Sequence, residues 1–405
     1  MFFNRTLAEP LRNATRTFPV VLLTGPRQVG KTTLLERCAA ASRHGRHYVT
    51  VDDPMERALA KNDPALFLQT HPAPLLIDEV QYAPELFPHI KIAVDRQRKN
   101  GLFWLTGSQQ FHLMRGVSES LAGRVAILEL QGLSQAERFQ RPAKPFIPGK
   151  ISGPVPPPIA LPALYEIILT GAFPGLLATP GMDRRLFYNS YLKTYIERDV
   201  RDLLRVSDEN SFLKFLRAAA ASTGQLLNYS NMARDVDVSV NTIKSWVSVL
   251  ETSGLIVLLQ PWHNNLVSRA VKTPKLHFLD TGLCCHLAGW ESASALSTGA
   301  FSGQILETYV VSEILKSHWH NGRQPRAWFY RDKEKREIDL LLEHEGRLHP
   351  VEIKRSASPD KRDIRHFQAI DNAGLPRGRG ALLSFYEKIL PLDETTDTVP
   401  ISCLG

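Results

Sequence analysis

The octapeptide "GPRQVGKT" at residues 25–32 constrains the fold more than any other feature of the chain. It matches the pattern G-x-x-x-x-G-K-[ST], with the apolar run "PVVLLT" (19–24) before it and the helix-like "KTTLLERCAAAS" after it. In a strand–loop–helix setting, backbone N–H groups of the loop and the helix N-terminus can ring a polyphosphate. A chance match in a glycine turn is the alternative, but it would not explain the strand and helix on either side.

Each residue type in the loop suits a nucleoside triphosphate with Mg²⁺. Glycines at positions 25 and 30 permit unusual backbone conformations and close approach to the phosphates. The lysine supplies a cation to the β- and γ-phosphates, and the threonine after it supplies a hydroxyl to Mg²⁺. The predicted ATP-binding set is therefore Gly25, Pro26, Arg27, Gln28, Val29, Gly30, Lys31, Thr32 and Thr33.

Four more apolar runs follow the loop and alternate with helix-like stretches. They are "HYVTV" (47–51), "APLLIDEV" (73–80), "LFWLTGS" (102–108) and "RVAILEL" (124–130). Strands that alternate with helices predict a parallel sheet with helices on both faces. Ligands of such sheets lie at the carboxyl ends of the strands. We therefore predict an α/β domain of the P-loop NTPase type over residues 1–140.

Polar residues end two of these runs, where a ligand is expected. Asp78 ends an apolar strand and is the expected acid on the Mg²⁺ side, and Glu79 follows it as a candidate base for the attacking water. The alternative for this pair is a surface turn. Thr106 could orient the water or could simply cap its strand.

Phosphoryl transfer usually needs one more cation than the loop lysine. Arg124, in "ESLAGRV", is the first candidate for an arginine finger, from this subunit or a neighbouring one in a homo-oligomer. Alternatively, it anchors the start of a strand. Arg27 and Arg115 are further candidates.

The middle of the chain divides by composition. Residues 141–162 are rich in proline and glycine, which indicates a linker or extended insertion, and residues 163–222 look helical. Residues 223–265 predict two short helices, capped by Ser230 and Ser239, followed by a strand. That order is typical of a winged helix.

The partner of the predicted winged helix is left open by the sequence. The net charge of +8 and the pI of about 9.3 are compatible with DNA or RNA. However, the second helix presents only Lys244 as an outward cation, whereas phosphate neutralisation favours more. A structural or regulatory lid, or a module that docks a protein partner, is the alternative reading.

Hydropathy and the pattern of cysteines indicate where in the cell the protein is expected. No apolar run reaches the ~18 residues of a membrane span, and the N-terminus lacks the features of an export signal. The four cysteines form no CxxC motif, which argues against a zinc cage or a disulfide framework. We expect a cytoplasmic protein that does not associate with membranes.

A second group of acidic residues lies in the last block of the chain, residues 300–405. Asp339 and the Glu352/Lys354 pair lie on two successive strands, and Glu307 lies on the preceding helix. Neighbouring strands would bring the carboxylates to one Mg²⁺ or Mn²⁺, with Lys354 steadying a water or developing charge. The alternative is a charged hairpin whose acids and lysine only pair with one another.

The motifs together resemble AAA-type ATPases whose C-terminal region is the domain called DUF4143. The resemblance covers "LLTGPRQVGKTTLL", "LLIDEVQYAPELFPHIKIAVD", "LTGSQQF" and "SLAGRV", and later "LTGAFPGLL", "YIERDVRDL" and "HFLDTGLCCHL". It implies a restriction-endonuclease-like α/β fold for the C-terminal end, to which the D…ExK pattern is also similar.

Three functions remain as hypotheses. The first is an ATPase whose nucleotide cycle controls the winged-helix and nuclease-like regions. The second is a metal-dependent nuclease licensed by ATP. The third is a nucleotide-sensing switch that binds a protein partner and scarcely turns over, against which the presence of Glu79 argues mildly.

Overall fold

The fold was analysed in a computed structural model. It describes residues 2–41, 45–107, 117, 119–151, 153–195, 209–262, 273–371 and 373–404. Within these ranges no helix is long and apolar enough to cross a membrane.

The N-terminal part contains a five-stranded parallel sheet in the order β2-β3-β4-β1-β5. Its strands are β1 (Val20–Thr24), β2 (His47–Thr50), β3 (Leu75–Asp78), β4 (Phe103–Thr106) and β5 (Val125–Glu129). Every apolar run that the sequence assigned to this sheet forms one of these strands, so the predicted parallel α/β domain is confirmed. Because β4 lies between β1 and β3, the loop after β1 and the acid that ends β3 are one strand apart.

Helices cover both faces of the sheet because alternate side chains of its buried strands point to opposite sides. Val21 and Leu23 of β1 join one hydrophobic cluster, and Val20 and Leu22 join another. The helices of this part are α1 (Ala8–Thr17), α2 (Lys31–Ala40), α3 (Pro54–Asn62), α4 (Pro64–Thr70), α5 (Leu86–Gln97) and α6 (Gln135–Arg138), with a 3-10 turn at Val80–Tyr82.

The proline-rich segment contains no helix or strand in residues 141–151 and 153–160. It is nevertheless held against the C-terminal part of the chain. Phe146 is buried and its backbone N–H donates to Ser317 Oγ at 2.9 Å. Ser402 Oγ donates to the carbonyl of Pro156 at 3.3 Å. The segment is therefore anchored at Phe146 and Pro156 to the C-terminal part of the chain.

The middle region is helical and includes a small antiparallel sheet in the order β6-β8-β7. Its strands are β6 (Gln225–Leu226), β7 (Ile256–Leu259) and β8 (Lys275–Phe278). Its helices are α7 (Leu161–Thr170), α8 (Pro174–Ala178), α9 (Arg184–Tyr195), α10 (Glu209–Ala221), α11 (Tyr229–Val236), α12 (Val240–Thr252), α13 (Thr281–Leu287) and α14 (Ala293–Thr298).

Helices α11 and α12 correspond to the two short helices predicted for residues 223–265. Ser239 caps α12 as predicted, because its hydroxyl accepts from the N–H of Thr242. The cap predicted at Ser230 is wrong: α11 begins earlier, and the side chain of Asn228 accepts from the N–H of Asn231. Strand β8 pairs with β7 but lies beyond the predicted boundary at residue 265.

The C-terminal part begins with the long helix α15 (Ser302–Trp319) and continues into a six-stranded mixed sheet. The order is β13-β14-β12-β11-β10-β9. The strands are β9 (Ala327–Arg331), β10 (Glu337–His344), β11 (Arg347–Ile353), β12 (Gly380–Ser384), β13 (Leu390–Pro391) and β14 (Thr396–Pro400). A 3-10 helix spans Lys361–Ile370, and β13 and β14 were not predicted.

Candidate functional site

The glycine loop between β1 and α2 adopts a conformation that its glycines require. Gly25 has φ +138°, and a Cβ atom there would lie 1.9 Å from the carbonyl oxygen of Leu130. Gly30 has φ +90° and immediately precedes the first helical residue, Lys31. A larger residue at position 25 would thus collide with backbone, which is why the loop can pass so close to the end of β5.

The loop lysine is buried and held by the loop itself. Lys31 is 6% exposed, and its Nζ donates to the carbonyl oxygens of Gly25 at 2.9 Å and Pro26 at 2.7 Å. The ammonium is therefore positioned inside the turn, where it can face anionic oxygens. The backbone N–H groups at the start of the ten-residue helix α2 add the positive end of its dipole.

Asp78 is the centre of a set of hydroxyl groups at the carboxyl edge of the sheet. Its Oδ2 accepts from Thr32 Oγ1 at 3.0 Å and from Tyr48 OH at 3.2 Å, and its Oδ1 accepts from Thr106 Oγ1 at 3.1 Å. The structure thus brings together three residues that the sequence singled out in separate motifs. Burial and the Asp78 carboxylate raise the pKa of Tyr48 to about 12, so the phenol remains a donor at neutral pH.

Tyr48 was missed by the sequence reading, and the reason is tertiary. It lies on β2, which pairs with β3 in the register Tyr48 with Leu76, and no motif marks it. Only the strand order, with β2 at the outer side of β3, could have pointed to it.

Glu79 follows Asp78 in a strained backbone conformation. Its φ of +55° is uncommon for a residue with a side chain and often marks functional positions. The amide nitrogen of Gln81 donates to the Glu79 carboxylate. The other end of that buried amide, Gln81 Oε1, has no hydrogen-bond partner among the described residues. The Glu79 carboxylate is thus held by its neighbour, immediately after the strand that ends in Asp78.

Arg124 lies at the wrong end of the sheet to serve as a finger for its own nucleotide site. Its guanidinium pairs with Asp95, at 2.7 and 3.2 Å, and its carbonyl accepts from the N–H of Val20 at the start of β1. The loop follows the opposite end of that strand, about 13 Å further on. The prediction that Arg124 acts as an arginine finger within its own chain is therefore wrong. The alternative, that Arg124 reaches the nucleotide site of a neighbouring subunit, stays a prediction.

Two other arginines were candidates for the arginine finger. Arg27 is in the loop itself and donates to Tyr82 OH at 3.3 Å. Arg115 lies outside the described residues.

The middle region contacts the loop directly. Gly254, between α12 and β7, packs so closely that a Cβ on it would lie 3.1 Å from Pro26 of the loop. Pro174, at the start of α8, lies 4.0 Å from the position that a Cβ on Gly30 would occupy, which is ordinary van der Waals contact. The loop is therefore covered in part by residues far away in sequence.

The C-terminal acids also converge. The register pairs Leu340 with Val351, which sets Asp339 beside Glu352 on adjacent antiparallel strands. Asp339 Oδ2 accepts from the N–H of Ile353 at 2.9 Å, and Lys354 Nζ lies 2.6 Å from Glu352 Oε1.

Burial and mutual repulsion raise the pKa values of these acids. Burial and the nearby Asp339 charge raise the pKa of Glu307 to about 7 and that of Glu352 to about 8. These shifts are typical of carboxylates that share a poorly hydrated site.

A lysine that the sequence did not flag enters this acidic group. Lys275, on β8 of the middle region, is 3% exposed and lies 2.8 Å from Glu307 Oε1 and 2.5 Å from Glu337 Oε1. Burial alone would lower its pKa, but the surrounding carboxylates of Glu307, Asp339 and Glu337 outweigh that effect and raise it. The lysine is therefore charged and neutralises the acids from inside the protein.

The acidic group borders an open cavity of about 590 Å³. Glu352 Oε2 is buried and lacks a hydrogen-bond partner among the described residues. However, no group of three or more His, Cys, Asp or Glu side chains in the described part of the chain is arranged to hold a metal ion. Lys275 engages Glu307 in this arrangement, and the metal-binding role of Glu307, Asp339 and Glu352 stays a prediction.

Three protein families match successive parts of the chain. The family described as an AAA domain (AAA_14) matches residues 17–139. A domain of unknown function (DUF8612) matches residues 161–294, and another (DUF4143) matches residues 302–404. The second match spans the predicted helical region and winged helix together.

Two relatives match nearly the whole chain. The proteins named "Uncharacterized protein Mb2031c" of Mycobacterium bovis and "Uncharacterized protein Rv2008c" of Mycobacterium tuberculosis are each 30% identical over 397 residues, which are 98% of this chain and 83% of theirs.

Two solved structures cover most of the chain at low similarity. The Walker-type ATPase of Pyrococcus abyssi is 15% identical, with a TM-score of 0.44 over 71% of this chain and 96% of that one. The RuvB Holliday junction branch migration motor of Thermotoga maritima is 18% identical, with a TM-score of 0.31 over 64% and 90%. Because these scores are low, the fold assignment depends on the strand order and the AAA match.

Proposed function

The chain belongs to the family of AAA-type P-loop ATPases that carry a C-terminal DUF4143 domain, and from that premise we propose that it binds ATP with Mg²⁺ and hydrolyses it. The observation that carries the proposal is the meeting of Lys31, Thr32 and Asp78 at the carboxyl edge of the sheet. Two separate sequence motifs, the glycine loop and the strand that ends in Asp78, supply hard oxygen donors and a buried ammonium there.

The glycine loop binds the phosphates of ATP. Its backbone N–H groups and the N-terminus of α2 face the phosphates, and Lys31 neutralises their charge. The hydroxyl of Thr32 and the carboxylate of Asp78, 3.0 Å apart, are the oxygen donors that suit Mg²⁺. The metal, when bound, offsets charge on the phosphate oxygens.

Hydrolysis requires a water aligned with the γ-phosphate and a base for its proton. Glu79 is the candidate base because it follows Asp78 directly and its carboxylate is held by Gln81. Thr106 is already committed to Asp78, which favours its role as a support for that acid over direct contact with water.

The test separates binding from turnover. Lys31→Ala should abolish binding of a fluorescent ATP analogue, whereas Glu79→Gln should retain it and lose about 10²–10⁴-fold in hydrolysis rate. Lys61→Ala, on the exposed surface of α3, is the control and should do neither. Unchanged hydrolysis in Lys31→Ala would reject the site, and tight binding without turnover in the parent protein would favour the nucleotide-sensing switch.

We further propose that the nucleotide cycle controls the middle and C-terminal regions. The support is the close packing of Gly254 and Pro174 against the loop, since movement of the loop must displace them. DNA, RNA or a protein partner could then be coupled to turnover. An ATPase assay with and without each nucleic acid tests this, and equal rates would argue against nucleic-acid coupling.

We also propose that the protein is cytoplasmic and that it forms a homo-oligomer.

A second candidate function is an ATP-licensed nuclease at the C-terminal cavity. It is favoured by a buried oxygen of Glu352, beside Asp339, that has no hydrogen-bond partner in the part of the chain that the structure describes. Glu307 would have to leave Lys275 to join them around Mg²⁺ or Mn²⁺, with Lys354 close by. Mn²⁺-dependent degradation of DNA or RNA that disappears in Asp339→Ala would support it, and no cleavage of either would reject it.

A further inference from the structure

An arginine outside every recognised motif lies directly under the phosphate loop. Arg5 precedes α1 and falls outside the AAA match of residues 17–139. It is 8% exposed. One terminal nitrogen donates to the carbonyl oxygen of Val29 in the loop at 2.7 Å. The other donates to the carbonyl oxygen of Gln131, just after β5, also at 2.7 Å. A single guanidinium therefore ties the loop to the neighbouring edge of the sheet.

The guanidinium is itself fixed by a buried carboxylate. Arg5 Nε lies 3.1 Å from Glu137 Oε2, and the two side chains are only 4% and 1% exposed. Glu137 belongs to the capping box of α6 with Ser134, and its Oε1 accepts from the N–H of Thr6. Although burial opposes ionisation, the charge of Arg5 and the hydrogen bond from the N–H of Ser134 help hold the pKa of the Glu137 carboxyl well below its usual value. The ion pair is therefore preorganised, with little freedom on either side.

The far side of this carboxylate faces the C-terminal part of the chain. His320 follows the last residue of α15, and its Nδ1 lies 3.2 Å from Glu137 Oε2. Its Nε2 accepts from the N–H of Gln131 at 3.2 Å, which leaves Nδ1 to carry the proton of the neutral ring. The loop carbonyl, Arg5, Glu137 and His320 thus form one continuous buried set across two matched regions.

We propose that Arg5 is a positioning residue for the phosphate loop, so that the loop presents its N–H groups to ATP only while this guanidinium holds Val29. The inference depends on the proposed ATP site. Val29 immediately precedes Gly30 and Lys31, so restraint of its carbonyl restrains the peptide groups that reach the phosphates. The planar guanidinium of Arg5 donates to two carbonyls while it forms an ion pair with a carboxylate, whereas a lysine ammonium is a single compact charge.

A role in stability alone is the competing explanation, and the chain contains a matched control for it. Arg46 is a half-buried donor to backbone carbonyls of the same sheet. Its guanidinium donates to the carbonyls of Leu75 and Leu102, at 3.1 and 3.2 Å, and to that of Gly101 at 2.7 Å. These contacts lie at the strand starts, away from the loop. Arg46→Met should therefore lower the melting temperature without changing the affinity for ATP.

The experiment measures the Kd of a fluorescent ATP analogue, the steady-state kcat and KM, and the melting temperature of the full chain. Arg5→Met should weaken ATP binding by about tenfold to a hundredfold, because hydrogen bonds to a charged group are lost and the ordered loop is less populated. Arg5→Lys keeps the charge beside Glu137. It should melt close to the parent protein and still bind ATP about tenfold more weakly.

The possible outcomes are distinct. Wild-type affinity in Arg5→Lys and Arg5→Met, with a parent protein that binds ATP, would overturn the positioning role and leave the ATP site intact. A similar loss of affinity in Arg46→Met would also overturn it, because general destabilisation would then explain the effect. A parent protein that does not bind the analogue would instead remove the proposed function itself.

Discussion

The buried lysine between the middle region and the C-terminal acids provides the sharpest test of the tertiary structure. Lys275→Met keeps most of the side-chain volume and removes the ammonium from Glu307 and Glu337. Loss of one partner from a buried ion pair leaves an uncompensated charge and costs about 3–5 kcal/mol. For domains of this size that corresponds to a melting temperature lower by about 6–20 °C.

The loss of stability caused by Lys275→Met should be larger at high pH than at low pH. Without Lys275, the pKa of Glu307 rises above its value of about 7, because the ammonium was favouring the carboxylate. A carboxyl group whose pKa is raised in the folded protein binds a proton that the unfolded chain lacks, so stability falls as pH rises. The deficit of the variant should be greatest above pH 7 and should shrink as pH falls towards 5.

Urea or thermal unfolding at pH 8 and pH 5.5 measures this difference. Lys61→Met on the exposed surface of α3 is the control and should change stability by no more than about 0.5 kcal/mol. Adding Glu307→Gln to Lys275→Met should recover part of the loss, since it removes one of the unpaired charges. A variant as stable as the parent at both pH values, or one whose deficit grows in acid, would refute the reasoning.

Three further predictions concern the nucleotide site and its surroundings. Gly25→Ala forces a methyl group against the carbonyl of Leu130 and should abolish ATP binding by calorimetry. Asp78→Asn keeps the shape of the site but removes its charge, so the Mg²⁺ concentration that supports half-maximal hydrolysis should rise at least about tenfold in a Mg²⁺ titration. Burial lowers the pKa of His320, so the folded protein keeps a neutral ring that the unfolded chain protonates below about pH 6.5. Stability should therefore fall as pH decreases below 6.5, by up to about 1.4 kcal/mol per pH unit, and His320→Gln should reduce that slope in urea titrations.

Features set by nearest neighbours along the chain were accessible from the sequence. The five apolar runs, the glycine loop and the acid that ends β3 are local patterns, and each appears where it was expected. The cap at Ser239 is local as well. The cap at Ser230 failed because Asn228, two residues earlier, offers an equally good side-chain acceptor. Competing local signals of similar strength cannot be ranked without the packing around them.

Residues without a motif were not accessible in this way. Arg5, Tyr48 and Lys275 are ordinary residues in the printed sequence, and each acquires its role from partners between 24 and 132 positions away. Arg124 illustrates the reverse error, since its motif context suggested a finger while the strand direction puts it at the opposite end of the sheet.

The sequence by itself determined that a parallel sheet with a phosphate loop would form, because strand hydrophobicity, glycine conformation and the strand–loop–helix order are encoded within a few consecutive residues. Only the tertiary structure decided which charges meet. Strand order β2-β3-β4-β1-β5 gathers hydroxyls around Asp78, and the docking of β8 on α15 sets Lys275 among acids that the sequence suggested for a metal. Electrostatic partners are chosen by distance through space, and that distance is fixed only when separate elements pack.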